Sequence, residues 1–258
     1  MPVKSTNARS DFDAIEQLLR SLGFEHVPGT LPELVERGVR ESLPLLAFLE
    51  LVARSEYDFR EERRVKTSLK LSGLPVGKTM DTYDFAFQRG LNKATIDLLT
   101  TCEFAQRKEN VLLLGPPGVG KTHLAAGLAV KCVQNGFSTV FMTADELIDG
   151  LRKDDQAGGR RAHRRRYMTC AVLVIDELGF QTLERREAQL FFRLINGRYE
   201  KGSTVITSNK GVREWPDLLA GDEVLATAIL DRLLHHCHVV NIDGRSYRLR
   251  QIEKRVSR

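Results

Sequence analysis

The feature that most constrains this chain is an octapeptide, Gly115-Pro-Pro-Gly-Val-Gly-Lys121-Thr122, set directly behind the apolar run Val111-Leu-Leu-Leu114. A glycine-rich turn between a strand and a helix suits an anion. Successive backbone N–H groups converge there, and the helix start adds its positive dipole end. The spacing matches GxxxxGK[ST] and predicts a cradle for the phosphates of a nucleotide. Gly118 and Gly120 let the main chain bend closely around the oxygens. Lys121 is suited to the β and γ phosphates, and the Thr122 hydroxyl to Mg²⁺. The expected nucleotide contacts are therefore Gly115, Pro116, Pro117, Gly118, Val119, Gly120, Lys121, Thr122 and the adjoining His123.

Such a loop needs carboxylates for its metal and its water. Ala171-Val-Leu-Val-Ile-Asp176-Glu177 is an apolar strand ending in two acids. At the strand tip Asp176 is expected to hold Mg²⁺, with Glu177 as general base for the attacking water. Asp176-Glu-Leu-Gly179 also fits a GTPase DxxG, and Asn209-Lys210 opens a guanine-reading NKxD. Position 212, however, is Val, so the carboxylate that would pair with guanine is missing. ATP is the expected nucleotide.

Two further residues are candidates for hydrolysis. Val205-Ile-Thr-Ser-Asn209 is a strand ending in an amide, which could orient the water or touch the γ phosphate. Ala226-Thr-Ala-Ile-Leu-Asp231-Arg232-Leu-Leu is an amphipathic helix whose Arg232 could reach the γ phosphate of a neighbouring subunit, where it would offset transition-state charge.

Around these motifs short apolar segments alternate with helical ones, the signature of a doubly wound α/β domain with a parallel sheet. Strands are expected at 110–114, 139–143, 171–175, 204–208 and 238–242, and helices at 122–135, 144–152, 184–201 and 226–236. Upstream, residues 11–22 have helical spacing behind Asp11 as an N-cap, Thr30-Leu-Pro-Glu33 resembles a helix start, and 42–71 reads as one long helix. Gly73, Pro75 and Gly77 then break the pattern. This predicts a small all-helical N-terminal domain over 1–75 and a nucleotide-binding domain over 76–258, entered through a linker at 76–90.

Composition narrows the class. The 258 residues carry no apolar run approaching the roughly 20 needed to span a bilayer, and the N-terminus lacks the apolar core of a secretory signal. The four cysteines lie far apart, without a CxxC pair. A cytoplasmic protein with reduced thiols is expected. A net charge of +5 favours a polyanionic partner. Much of that charge gathers in Arg160, Arg161, Arg164, Arg165 and Arg166, a cluster suited to sequence-independent contact with the DNA phosphate backbone. The C-terminal run Arg245, Arg248, Arg250, Lys254, Arg255 and Arg258 is a weaker candidate.

GPPGVGKT, VLVIDE, TSN and LDRL, in this order, resemble an AAA+ ATPase of the initiator and helicase-loader clade. The flanking KLSGLPVGKTMDTYDF and DGRSYRLRQ are similar to the IstB family, helpers of insertion-sequence transposases related to DnaC-type loaders; the likeness covers roughly 40–250. It implies ATP-driven homo-oligomers with nucleotide between subunits, and double-stranded DNA along a central channel. It also implies a shortened C-terminal lid, which leaves Arg248 as the candidate second sensor, and an extra channel-facing helix in the arginine-rich interval. The expected function is an ATPase that binds DNA and assists a transposase. A loader of a replicative helicase stays open as the alternative, and the helical N-terminal domain suits self-assembly or transposase contact. A small-molecule kinase would leave the arginine cluster and Arg232 unexplained.

Overall fold

The computed structural model describes residues 8–88, 90–157, 166–244, 246, 247 and 249. The chain separates into two compact units, Met1–Thr67 and Ser68–Arg258.

The first unit is helical. α1 (Ala8–Ser21) takes in Asp11, so that residue lies within the helix and not at its cap. α2 (Val27–Arg40) begins earlier than Thr30 because its N-terminus is capped from a distance. The Glu56 carboxylate, only 4% exposed, accepts from the backbone N–H groups of Glu25 at 2.8 Å, His26 at 2.9 Å and Val27 at 3.0 Å. These are donors that a helix start leaves unpaired. Glu56 lies on α3 (Leu45–Leu71), which starts just after Pro44.

The second unit opens at residue 68, not 76. Ser72 already joins the sheet edge, its carbonyl accepting from Phe141 N–H at 2.7 Å. The segment expected as a linker is packed: Met80 and Tyr83 are each 8% exposed and belong to a buried apolar cluster. Two short helices missing from the sequence pattern follow, α4 (Lys93–Thr100) and α5 (Glu103–Gln106).

Five parallel strands make the sheet: β1 (Asn110–Leu114), β2 (Thr139–Thr143), β3 (Val172–Leu178), β4 (Ser203–Ser208) and β5 (Cys237–Asn241), in the spatial order β2-β3-β4-β1-β5. Between them run α6 (Lys121–Gln134), α7 (Ala144–Gln156), α8 (Arg166–Thr169), α9 (Arg185–Arg198), α10 (Trp215–Leu218) and α11 (Glu223–Leu234). Alternation along the strands feeds two cores. Leu112, Leu173, Ile175 and Ile206 face a cluster with Leu147, Phe191 and Ile229, whereas Val111, Leu113, Val174 and Val205 face Ile96, Leu124 and Leu128. Helices thus cover both faces, as a buried parallel sheet requires. No helix among the described residues is long and apolar enough to cross a membrane.

The strand order sets the site. β4 lies between β1, which leads into the glycine loop, and β3, which carries the two acids. The tips of all three strands meet at the carboxyl edge of the sheet, where doubly wound domains bind ligands.

Candidate functional site

Gly115, Gly118 and Gly120 take φ of 150°, 83° and 102°. At two of them there is also no room. A β carbon on Gly115 would sit 2.2 Å from the Ile242 carbonyl oxygen, and one on Gly118 would sit 2.2 Å from Ser246 Oγ. α6 begins at Lys121, so the helix N-terminus opens onto the loop. Lys121 is 7% exposed, and its Nζ donates to the carbonyls of Gly115 at 2.6 Å and Pro116 at 2.8 Å. The ammonium is therefore folded back on the loop's own oxygens. Pro117 lines the cavity beside the loop, and Val119 is buried, its carbonyl accepting from Gln88 Nε2 at 2.8 Å.

Asp176 is 3% exposed, and its Oδ1 accepts from two hydroxyls, Thr122 Oγ1 at 3.1 Å and Thr207 Oγ1 at 2.5 Å. This joins the loop, β3 and β4 in one hydrogen-bonded group. Asp176 is not at the strand tip, because β3 runs on to Leu178. The ladder is irregular between Ile175 and Leu178, and Thr207 Oγ1 accepts from Glu177 N–H at 2.9 Å in place of a backbone partner. Glu177 has φ of 64°, a left-handed conformation that side chains rarely adopt. It is exposed and lines the same cavity as the glycine loop.

Asn209 follows the end of β4, and its Oδ1 is buried without a hydrogen-bond partner among the described residues. His123 lines the cavity, but its Nε2 is engaged by the packed linker, 2.9 Å from the Thr79 carbonyl and 3.0 Å from Thr82 Oγ1. Arg232 is not brought to the loop. On α11 its Nε donates to Asn196 Oδ1 at 2.8 Å and its Nη1 to the Ala228 carbonyl at 2.7 Å, with the guanidinium over the Phe192 ring. Arg166 opens α8 and donates from Nη1 to the Leu71 carbonyl at 2.6 Å. Arg160, Arg161, Arg164, Arg165 and Arg248 lie outside the described residues.

The cavity beside the loop has a volume of about 450 Å³, and Lys78, Tyr83, Phe87 and Tyr247 line it beyond the expected residues. Tyr83 meets the His123 ring edge-on at 5.3 Å, and burial, followed by the Asp84 carboxylate, pushes its phenol up to about 12. Tyr247 N–H donates to the Gly118 carbonyl at 2.9 Å, and its ring meets Phe87 edge-on. The signal for this wall was TYDF and SYR, segments that carried the family resemblance but no spacing that singles out a ligand.

Known proteins agree with this architecture. A candidate ATP-binding protein of insertion sequence IS21 from Pseudomonas aeruginosa is 44% identical over 240 residues, 93% of this chain and 90% of its own. One from insertion sequence IS5376 of Geobacillus stearothermophilus is 44% identical over 204 residues, 79% of this chain and 81% of its own. Among solved structures the DnaC helicase loader superposes with a TM-score of 0.53 at 24% identity, over 65% of this chain and 98% of that one. DnaA from Aquifex aeolicus gives 0.53 at 18% identity, over 72% of this chain and 56% of that one. At those identities the likeness carries the fold, an AAA+ core. The family model described as IstB-like ATP binding protein matches residues 17–255, and the chain belongs to that family.

Proposed function

We propose that this protein is a Mg²⁺-dependent ATPase that assembles as a homo-oligomer on double-stranded DNA in the cytoplasm and assists a transposase in DNA transposition. The observation that carries the catalytic part is the group formed by Thr122, Asp176 and Thr207, set between the Lys121 loop and Glu177. The transposition part is supported by the insertion sequences named for the relatives.

The residues present fit ATP and Mg²⁺. Gly115 and Gly118 take positive φ and have no space for a β carbon against Ile242 and Ser246, so only glycine lets the loop keep this turn, and Asn209 Oδ1 is a buried acceptor without a partner among the described residues. When bound, ATP supplies the transferable γ-phosphoryl group, and Mg²⁺ offsets charge on its oxygens. Lys121 exchanges two neutral carbonyls for phosphate oxygens, a stronger charge-assisted contact. Thr122 and Asp176 hold the metal. Glu177 takes the proton of the attacking water, and Asn209 orients that water. Arg232, directed away from its own loop, serves the nucleotide of a neighbouring subunit.

On the DNA side, Arg160, Arg161, Arg164, Arg165 and Arg166 neutralise backbone phosphates without reading bases. The helical unit ending at Thr67 contacts protein, either another copy or the transposase, and Arg248 acts as a second sensor. The likeness to the DnaC loader keeps a helicase partner as the second reading.

The test is ATP hydrolysis by the purified protein with and without duplex DNA, followed by capture of partners on the DNA-bound assembly. Stimulation by duplex and retention of a transposase are expected. Retention of a replicative helicase instead would move the reading to a loader, and no Mg²⁺-dependent ATP uptake would end both.

A further inference from the structure

On the α9/α11 side of the ATPase unit, three side chains of metal-ligating type converge where two helices end. Glu200 follows the C-terminus of α9, while His235 and His236 follow that of α11. Among the described residues they bring one ligand atom each to within 4.8 Å of one another. All three are exposed, and the two imidazole centroids are 4.1 Å apart.

The backbones presenting them are fixed. Tyr199 N–H donates to the Ile195 carbonyl at 2.9 Å and Lys201 N–H to the Arg198 carbonyl at 2.9 Å, holding the turn that contains Glu200. Within it Glu200 has φ of 56°, a left-handed conformation that disfavours a side chain. His235 N–H donates to the Asp231 carbonyl at 3.1 Å, and the His236 carbonyl accepts from Asn110 N–H at 2.7 Å, joining the start of β1. Sites built on held backbone need little reorganisation to bind.

Tyr199 supplies a supporting contact. Its hydroxyl is 2.7 Å from His235 Nδ1. In the tautomer where His235 Nδ1–H donates to the phenol oxygen, the Nε2 lone pair is left for a cation. An outer group that fixes ring and tautomer is the usual companion of a metal-bound histidine. Two imidazole nitrogens and one carboxylate oxygen, with room for water at a fourth position, form a donor set that suits zinc and its neighbours over Mg²⁺ or Ca²⁺.

We infer that Glu200, His235 and His236 form a binding site for a divalent transition metal of the zinc class, with Tyr199 as its positioning residue. The site is separate from the nucleotide cavity and owes nothing to the ATPase reading. A bound cation would clasp the end of α9 to the end of α11.

The test is a titration of the tag-free, metal-stripped full chain with Zn²⁺ against a chromophoric chelator, with Co²⁺ absorption as a second readout. One equivalent of Zn²⁺ per chain is expected. His236→Ala and Glu200→Gln should each weaken it at least about tenfold, and Tyr199→Phe should weaken it by about 10–100-fold while keeping one equivalent. His238→Ala serves as a control expected to leave zinc affinity unchanged, since that ring is engaged with Glu109. Because the ligands are exposed, the variants keep their fold, which circular dichroism checks. No stoichiometric uptake by the parent, or equal affinity in His236→Ala and Glu200→Gln, overturns the inference.

Discussion

The Thr122 hydroxyl donates to Asp176 Oδ1 across 3.1 Å, although 54 residues separate the two in sequence. The first turn of α6 and strand β3 are thereby held as one unit. The same Oδ1 accepts from Thr207 Oγ1 on the strand between, so three elements share one carboxylate oxygen.

Lys121→Ala should abolish nucleotide binding without unfolding the chain. Its ammonium donates to two carbonyls of the loop itself, those of Gly115 and Pro116, and circular dichroism checks that the variant keeps its fold. Removing one partner of a desolvated charge pair costs about 2–5 kcal/mol, which is at least about thirtyfold in affinity. Titration with a fluorescent ATP analogue reads it, and an unchanged affinity refutes the phosphate role.

Glu177→Gln should bind ATP as the parent does and hydrolyse it about 10²–10⁴ times more slowly, the range general-base catalysis supplies. The backbone strain at this residue is common to both side chains, so binding is preserved. Steady-state phosphate release is the measurement, and equal rates would remove Glu177 from the reaction.

Arg232→Ala should slow hydrolysis while leaving ATP affinity within about threefold, since the guanidinium contacts α9 and α11 and not its own loop. The variant mixed with Lys121→Ala should recover part of the activity, because each kind of subunit supplies what the other lacks. Mixtures with no more activity than the two proteins assayed separately would place the arginine outside the reaction of a neighbour.

Glu56→Gln should destabilise the helical unit by about 1–3 kcal/mol at neutral pH, the cost of disrupting a buried polar cluster. Burial raises the Glu56 pKa, but N–H donation from Val27 and His26 and the Arg60 guanidinium outweigh it, so the folded value lies below the ordinary one. A depressed folded pKa contributes stability above the unfolded value of about 4.3, and that stability disappears as pH falls through the folded value. Melting curves of parent and variant should therefore differ most near neutrality and converge in acid. A constant difference down to the lowest pH would exclude the carboxylate as its source.

Much of the fold was legible because its signals are local. The five strands are short and mostly apolar segments, and the glycine loop is contiguous, so neither depends on distant contacts. The capping of α2 was hidden because its acceptor, Glu56, sits on another helix about thirty residues on. Thr30-Leu-Pro-Glu33 carried a start signal, but a tertiary carboxylate overrode it. The packing of the segment around Tyr83 was hidden for a related reason. Gly73, Pro75 and Gly77 advertise a break in helix, yet they say nothing of whether the next residues are loose or pressed against α6. Asp176 was expected at a strand end, whereas Thr207 extends the ladder past it, a side-chain substitution that periodicity does not register.

Past β5 the chain does not simply leave the sheet. Ile242 N–H donates to the Leu114 carbonyl at 2.7 Å, and Tyr247 N–H donates to the Gly118 carbonyl at 2.9 Å. The segment carrying Tyr247 is thus hydrogen-bonded to the glycine loop, so a substitution in one should disturb the other.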